Sequence, residues 1–273
     1  MKNAFIISLA MLISNASYCQ KRVRIEGSFM IVAIGSDGIM VASDSRANFA
    51  DSNDPAHTPL GYFDFVQKTF ILKNRMTISS TGMGIIGQYF EYYLVKDFEK
   101  YTLLDQKVYD LLKTYDAYLK SVCDEKTYAA LENSRIACGY ENGKPYLCYY
   151  EPKEPYRFIN ETYIESGGSI FPKLYDKKLT CDSLGKLAKK AIYQFAADNK
   201  KKSLIGGLIN IAKVTSENVI WLENEPKPKW KTVTDFLEAY INKKATITFT
   251  SEANKKKLLE ILAIDYPQIF NKK

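Results

Sequence analysis

The stretch from Gly27 to Asn48 constrains this chain more than any other. Phe29–Ile34 is a short apolar run, and Ser36-Asp37-Gly38 supplies turn residues that tolerate positive φ. Ile39–Ala42 then returns, so the stretch reads as a β-hairpin. Beyond the returning run come Asp44 and Arg46, two residues apart. Side chains at that spacing share one face of a strand. An acid and a base side by side are an unusual ending for an apolar hairpin.

A second hairpin follows. Asn48–Tyr62 reads as a long loop rich in Asp, Asn, Pro and Gly, Val66–Leu72 as a strand and Lys73-Asn74-Arg75 as a turn. Met76–Thr81 is the returning strand, ending at Gly82. Lys68 taken alone is a surface strand lysine. Taken with Gly27-Ser28, Ser43-Asp44-Ser45-Arg46 and Gly82, fourteen residues beyond it, the lysine belongs to a pattern. That pattern resembles the proteasome-type N-terminal-nucleophile (Ntn) hydrolases, the β subunits and their bacterial relatives.

The resemblance runs from about Gly27 to Leu222. It implies an α+β fold, a four-layer αββα sandwich with two antiparallel sheets between helix layers. It also implies autocatalytic cleavage of Gly27–Ser28. Ser28 would then be the nucleophile, Lys68 the cation beside it, Asp44 the holder of Lys68, Arg46 the balance for Asp44, and the Gly82 N–H the oxyanion donor. Ser166 or Ser169 and, by a shifted alignment, Asp198 stand where the family orients its terminal amine; Ile205 stands where a second serine is expected. Ser80 and Gly84 would line the specificity pocket. The long Asn48–Tyr62 loop would enlarge one rim of the cleft.

The chain begins with a short basic start, the apolar run Ala4–Ile13 and a small, polar Ser14–Cys19, the layout of a secretory signal peptide. The expected division is a signal peptide over 1–19, a propeptide over 20–27, the hydrolase-like domain over 28–223 and an extension over 224–273 packing on the same domain. The protein is thus expected to be exported, periplasmic or secreted. Later segments are too short and too broken to span a bilayer.

Removing 1–27 leaves 34 cationic and 30 anionic side chains, lowering the net charge from +7 to +4. That mild excess points to solvation and not to nucleic acid. A single histidine, His57, lies in a Pro-rich loop and reads as solvated. Its isolation, with cysteines lacking C-x-x-C spacing, argues against zinc and against a Ser-His-Asp triad, so neither cofactor nor metal is expected.

Helical periodicity covers Tyr89–Phe98 and Val108–Leu119, whose aromatic stripes suit a core or subunit contacts. Asn142-Gly143 sets a hairpin that places Cys138 opposite Leu147 and Cys148 opposite Ala137, which disfavours a cross-strand disulfide. Short strands at Tyr156–Ile159 and Tyr163–Glu165 precede Ser166-Gly167-Gly168-Ser169. A helix over Asp182–Asn199, a lysine-rich turn, and strands Leu208–Val214 and Asn218–Leu222 complete the domain. Glu223–Lys229 is a Pro/Lys linker, and two helices follow, Val233–Ile241 and one capped by Ser251.

The chemistry implied needs the cut. An internal Ser28 has an amide nitrogen, whereas a freed α-amine, with a pKa of about 7.7–8.0, can take the Oγ proton. Three readings stay open: an exported peptidase of proteasome type, an Ntn amidohydrolase on a small amide, and a non-catalytic scaffold subunit. The resemblance implies a homo-oligomer, and export makes an ATP-driven unfoldase partner unexpected. Lys68 is read as lining a cleft, so that its removal should leave folding intact.

Overall fold

A computed structural model describes residues 22–27, 29–81, 84–129, 131, 133–151, 159–166, 171–198 and 205–271. The expected signal peptide, Ser28, Gly82, Ser169, the turn at 199–202 and most of the expected strand at Tyr156–Ile159 lie outside these residues. Of Ser166 and Asp198 only the backbone is described.

The strands are β1 (Val23–Glu26), β2 (Met30–Gly35), β3 (Gly38–Asp44), β4 (Ala47–Asp51), β5 (Pro59–Phe63), β6 (Thr69–Ile71), β7 (Thr77–Ser80), β8 (Ile85–Ile86) and β9 (Tyr89–Phe90). Beyond them come β10 (Arg135–Glu141), β11 (Lys144–Tyr150), β12 (Ile159–Asn160), β13 (Tyr163–Ser166), β14 (Ile209–Val214), β15 (Val219–Glu223) and β16 (Thr248–Phe249). The helices are α1 (Glu91–Phe98), α2 (Val108–Val122), α3 (Glu125–Ala129), α4 (Cys181–Asp198), α5 (Val233–Ile241), α6 (Glu252–Asp265) and α7 (Pro267–Phe270). The protein is a mixed α+β fold built on antiparallel sheets.

One five-stranded sheet has the order β13-β2-β3-β14-β15 and a second the order β12-β11-β10-β7-β6. The first grows from the β2–β3 hairpin, in which Gly35 pairs with Gly38 across a two-residue turn. Gly38 has φ +152°, and a Cβ there would lie 2.7 Å from the Val214 carbonyl oxygen, so turn and packing both require glycine. In the second sheet Asn142 and Gly143 both take positive φ, as a tight hairpin turn demands. Cys138 pairs with Leu147 and Ala137 with Cys148, as the spacing predicts.

Strand alternation divides the apolar side chains. Met30, Val32 and Val41 meet Ile136, Cys138 and Leu147 in a cluster shared by the two sheets. Phe29, Ile31 and Ala42 point the other way, onto Leu184, Ala188 and Ile192 of α4. Phe70, Ile78 and Cys148 of the second sheet pack with Val95 and Phe98 of α1 and with Leu111, Tyr115 and Leu119 of α2. Fully burying each large apolar side chain contributes about 1.5–3 kcal/mol, so these clusters hold the sheets in register.

Sequence and structure part over Asn48–Tyr62. The expected loop contains most of β4 and most of β5, which join β1 and β16 in a third sheet of order β1-β4-β5-β16. Phe49, Leu60 and Phe63 are buried there with Phe236 of α5 and Leu258 and Leu262 of α6. The strands are short and flank a turn at Asp51–Asp54, and the apolar surface that stabilises them comes from the far end of the chain. The C-terminal helices begin where their caps predict. Thr232 and Asp235 form a reciprocal capping box on α5, and Ser251 Oγ accepts the Asn254 N–H at the start of α6.

Candidate active site

Asp44 closes β3, and four N–H donors converge on its carboxylate. Its Oδ1 accepts the Phe29 N–H at 2.8 Å and Lys68 Nζ at 2.6 Å. Its Oδ2 accepts the N–H groups of Arg46 at 3.3 Å and Gly206 at 3.2 Å. The Asp44 N–H in turn donates to the Phe29 carbonyl oxygen at 3.1 Å. Ser28 is bonded covalently to the Phe29 nitrogen, so the residue before the hairpin is joined to an atom fixed on Asp44.

Lys68 reaches this carboxylate from a segment shaped by local bonds. Val66 N–H donates to the Ser45 carbonyl, and Ser80 N–H to the Lys68 carbonyl, each at 2.9 Å. The first tie draws Val66 to Ser45, while the second continues the β6–β7 register one residue past β6, which starts at Thr69 and not at Val66 as expected. Hydroxyls continue the bridge between the sheets: Ser43 and Thr69 lie 3.2 Å apart, and Ser79 donates to Thr69 at 3.1 Å.

Lys68 is wholly buried, which corrects its reading as a cleft-lining or surface lysine. Burial pulls the pKa of its ammonium below the ordinary lysine value, and Asp44 opposes that shift. Nζ also donates to the Arg46 carbonyl at 2.7 Å. An ammonium has three donors, so one remains beyond these two described bonds.

The Arg46 guanidinium forms a forked pair with Asp64, at 2.6 and 2.8 Å, stacks 3.7 Å over the Tyr62 ring and lies within reach of the Asp44 charge. The Arg46 backbone N–H and C=O meet Asp44 and Lys68. Gly206-Gly207 makes this packing possible. A Cβ on Gly206 would fall 2.7 Å from Arg46 Cζ, and one on Gly207 (φ +73°) would fall 2.4 Å from Ser45 Oγ. Asp64 is not singled out by the sequence. Its one signal is that a half-buried arginine between two strands needs a carboxylate, and Asp64 lies just ahead of Lys68.

Ser80 is a further correction. Expected to line a pocket, it is fully buried and donates to Glu91 Oε1 at 2.6 Å, where Tyr115 also donates at 2.9 Å. Burial raises the Glu91 pKa above its ordinary value, with Arg135 opposing. Gly84 (φ +58°) borders a small recess with Phe65, Tyr92 and Trp230. His57 Nδ1 lies 3.2 Å from Glu26 Oε2, so the loop histidine has a partner and is not simply solvated.

Two larger clefts open beside these residues. One, of about 510 Å³, is bounded by Ser45, Asp64, Val66, Leu208 and Asn210; the other, of about 330 Å³, by Gln67, Ile71, Tyr92 and Trp221. Glu225 and Pro226 form a wall of both, so the Pro/Lys linker, read from sequence only as a connector, is a rim. Among the described residues no group of three metal-ligating side chains is gathered, and no helix is long and apolar enough to cross a membrane.

No protein-family model matches the chain, and no curated protein matches it.

Proposed function

We propose that this protein is an exported, proteasome-type Ntn hydrolase that frees Ser28 by self-cleavage and then hydrolyses peptide bonds. The observation that carries the reading is the buried Asp44–Lys68 pair, whose shared oxygen also holds the Phe29 N–H, one covalent bond from Ser28. A buried ion pair needs good geometry and further hydrogen bonds to be tolerated, and this one has both. The two inter-packed sheets with α4 on one side and α1 and α2 on the other are consistent with the αββα layering that such an enzyme requires.

In maturation, Ser28 Oγ attacks the Gly27 carbonyl carbon, and the C–N bond breaks as the proton passes to the leaving nitrogen. Water then hydrolyses the ester, giving a Gly27 carboxylate and the Ser28 hydroxyl, on a residue whose amine the first step has freed. In turnover that amine takes the Oγ proton while the Lys68 ammonium stabilises the developing alkoxide. Gly82 remains the proposed oxyanion donor. The substrate would enter the adjoining clefts of about 510 and 330 Å³, which share the Glu225–Pro226 wall.

The test is the intact mass of the exported protein under denaturing conditions, with Ser28→Ala beside it. A chain beginning at Ser28 in the wild type, and an uncut junction in the variant, are expected. A wild-type junction that stays intact would favour the scaffold reading.

A further inference from the structure

Residues 22–26 were expected to be discarded as part of a propeptide, yet they are built into the fold. Strand β1 pairs with β4 through four residues, Val23 with Asp51 through to Glu26 with Asn48. Val23 and Ile25 are only 9% and 7% exposed and belong to the cluster formed with α5 and α6.

Polar contacts fasten the strand at both ends. Arg22 forks onto Asp51 at 3.1 and 2.9 Å, and the Val23 N–H donates to Asp265 Oδ2 at 2.6 Å. Arg22 hydrogen-bonds to Asp51 and holds its carboxyl well below the usual carboxylate range. At the other end Asn48 Nδ2 donates to the Glu26 carbonyl at 3.1 Å. Each of these contacts joins residues 22–26 to a partner on the far side of the junction without passing through the Gly27–Ser28 bond.

We infer that cleavage at Gly27–Ser28 leaves β1 in place, so that the mature protein is a two-chain particle whose propeptide is a permanent strand of the third sheet. This rests on the self-cleavage proposed above. Hydrolysis removes one peptide bond and none of the contacts that hold residues 22–26. With β1 on one edge and β5 on the other, both edges of β4 are filled. A substrate therefore cannot add as a strand on β4.

The experiment compares denaturing and native mass spectra of the same purified protein. The denaturing spectrum should show two species, a peptide ending at Gly27 and a chain beginning at Ser28, and the native spectrum one particle with their summed mass. Arg22→Glu with Ile25→Asp should lose the peptide at least tenfold faster on dilution. A native particle lacking the peptide overturns the inference, as does retention unaffected by the two substitutions. A single uncut chain overturns the cleavage reading and the two-chain form with it, a result distinct from cleavage followed by loss.

Discussion

Lys68 Nζ lies 2.6 Å from Asp44 Oδ1, and neither side chain is exposed to solvent. Removing the lysine leaves a buried carboxylate without its counter-charge, which costs about 3–5 kcal/mol where such pairs have been broken. Lys68→Ala is therefore expected to abolish self-cleavage and to lower the unfolding midpoint. Lys68→Arg keeps the charge but cannot fit a compact ammonium's place, and should also be inactive. Lys73→Ala, with an exposed side chain in the β6–β7 turn, is the control and should match the wild type. Urea melts and mass spectra of all three decide; a stable, fully cleaved Lys68→Ala would remove Lys68 from the site.

The pH dependence of turnover follows from the proposed base. A free α-amine titrates near 7.7–8.0, and the Lys68 ammonium beside it pushes that value down. Peptide hydrolysis should rise with pH as the amine loses its proton and level off at or below about pH 8. A kcat/KM profile that is flat between pH 5 and 8 would exclude the amine as base.

Gly206→Ala tests the clamp on Arg46. The added methyl would sit 2.7 Å from Arg46 Cζ, and that guanidinium is held between Asp64 and Tyr62. Overpacking of this kind costs about 1–3 kcal/mol. The expected result is a lower melting temperature and at least a tenfold slower self-cleavage, since the Gly206 N–H also serves Asp44. Unchanged cleavage would separate the Arg46 packing from the site.

Glu91 gives a stability prediction with a definite sign. Its pKa is raised by burial, so above the ordinary glutamate value the folded state holds a proton that the unfolded state has lost. Stability from this group is intact below about pH 4.3 and declines as pH rises towards the folded pKa. Glu91→Gln should remove that decline, so the melting temperature of the variant should gain on the wild type between pH 4 and 8. Parallel curves would show that Glu91 does not titrate in this window.

Much of this architecture was readable because local signals agreed with burial. The Asp37-Gly38 and Asn142-Gly143 turns, the Ser251 cap and the helical stripes of α1 and α2 each carry their own physical cause. What escaped was set by distance. β4 and β5 are stabilised by Phe236, Leu258 and Leu262, which lie far along the chain and leave no mark on Asn48–Tyr62. Lys68 reads the same whether exposed or buried until Asp44 is placed against it. Ser80 was misread because a serine's neighbour, here Glu91, decides whether it faces a cleft or the interior.

The bond from Val23 N to Asp265 joins residues 242 positions apart, and α6 covers the strand to which Val23 belongs. As the chain is synthesised, β1 meets β4 early but waits for almost the whole polypeptide before its covering helix exists. Closing so long a loop adds entropic cost, and contacts of such high order form late in folding. Closure of the third sheet therefore depends on residues near both ends of the chain, so a change that loosens α6 should also loosen β1, the strand beside the junction proposed for self-cleavage.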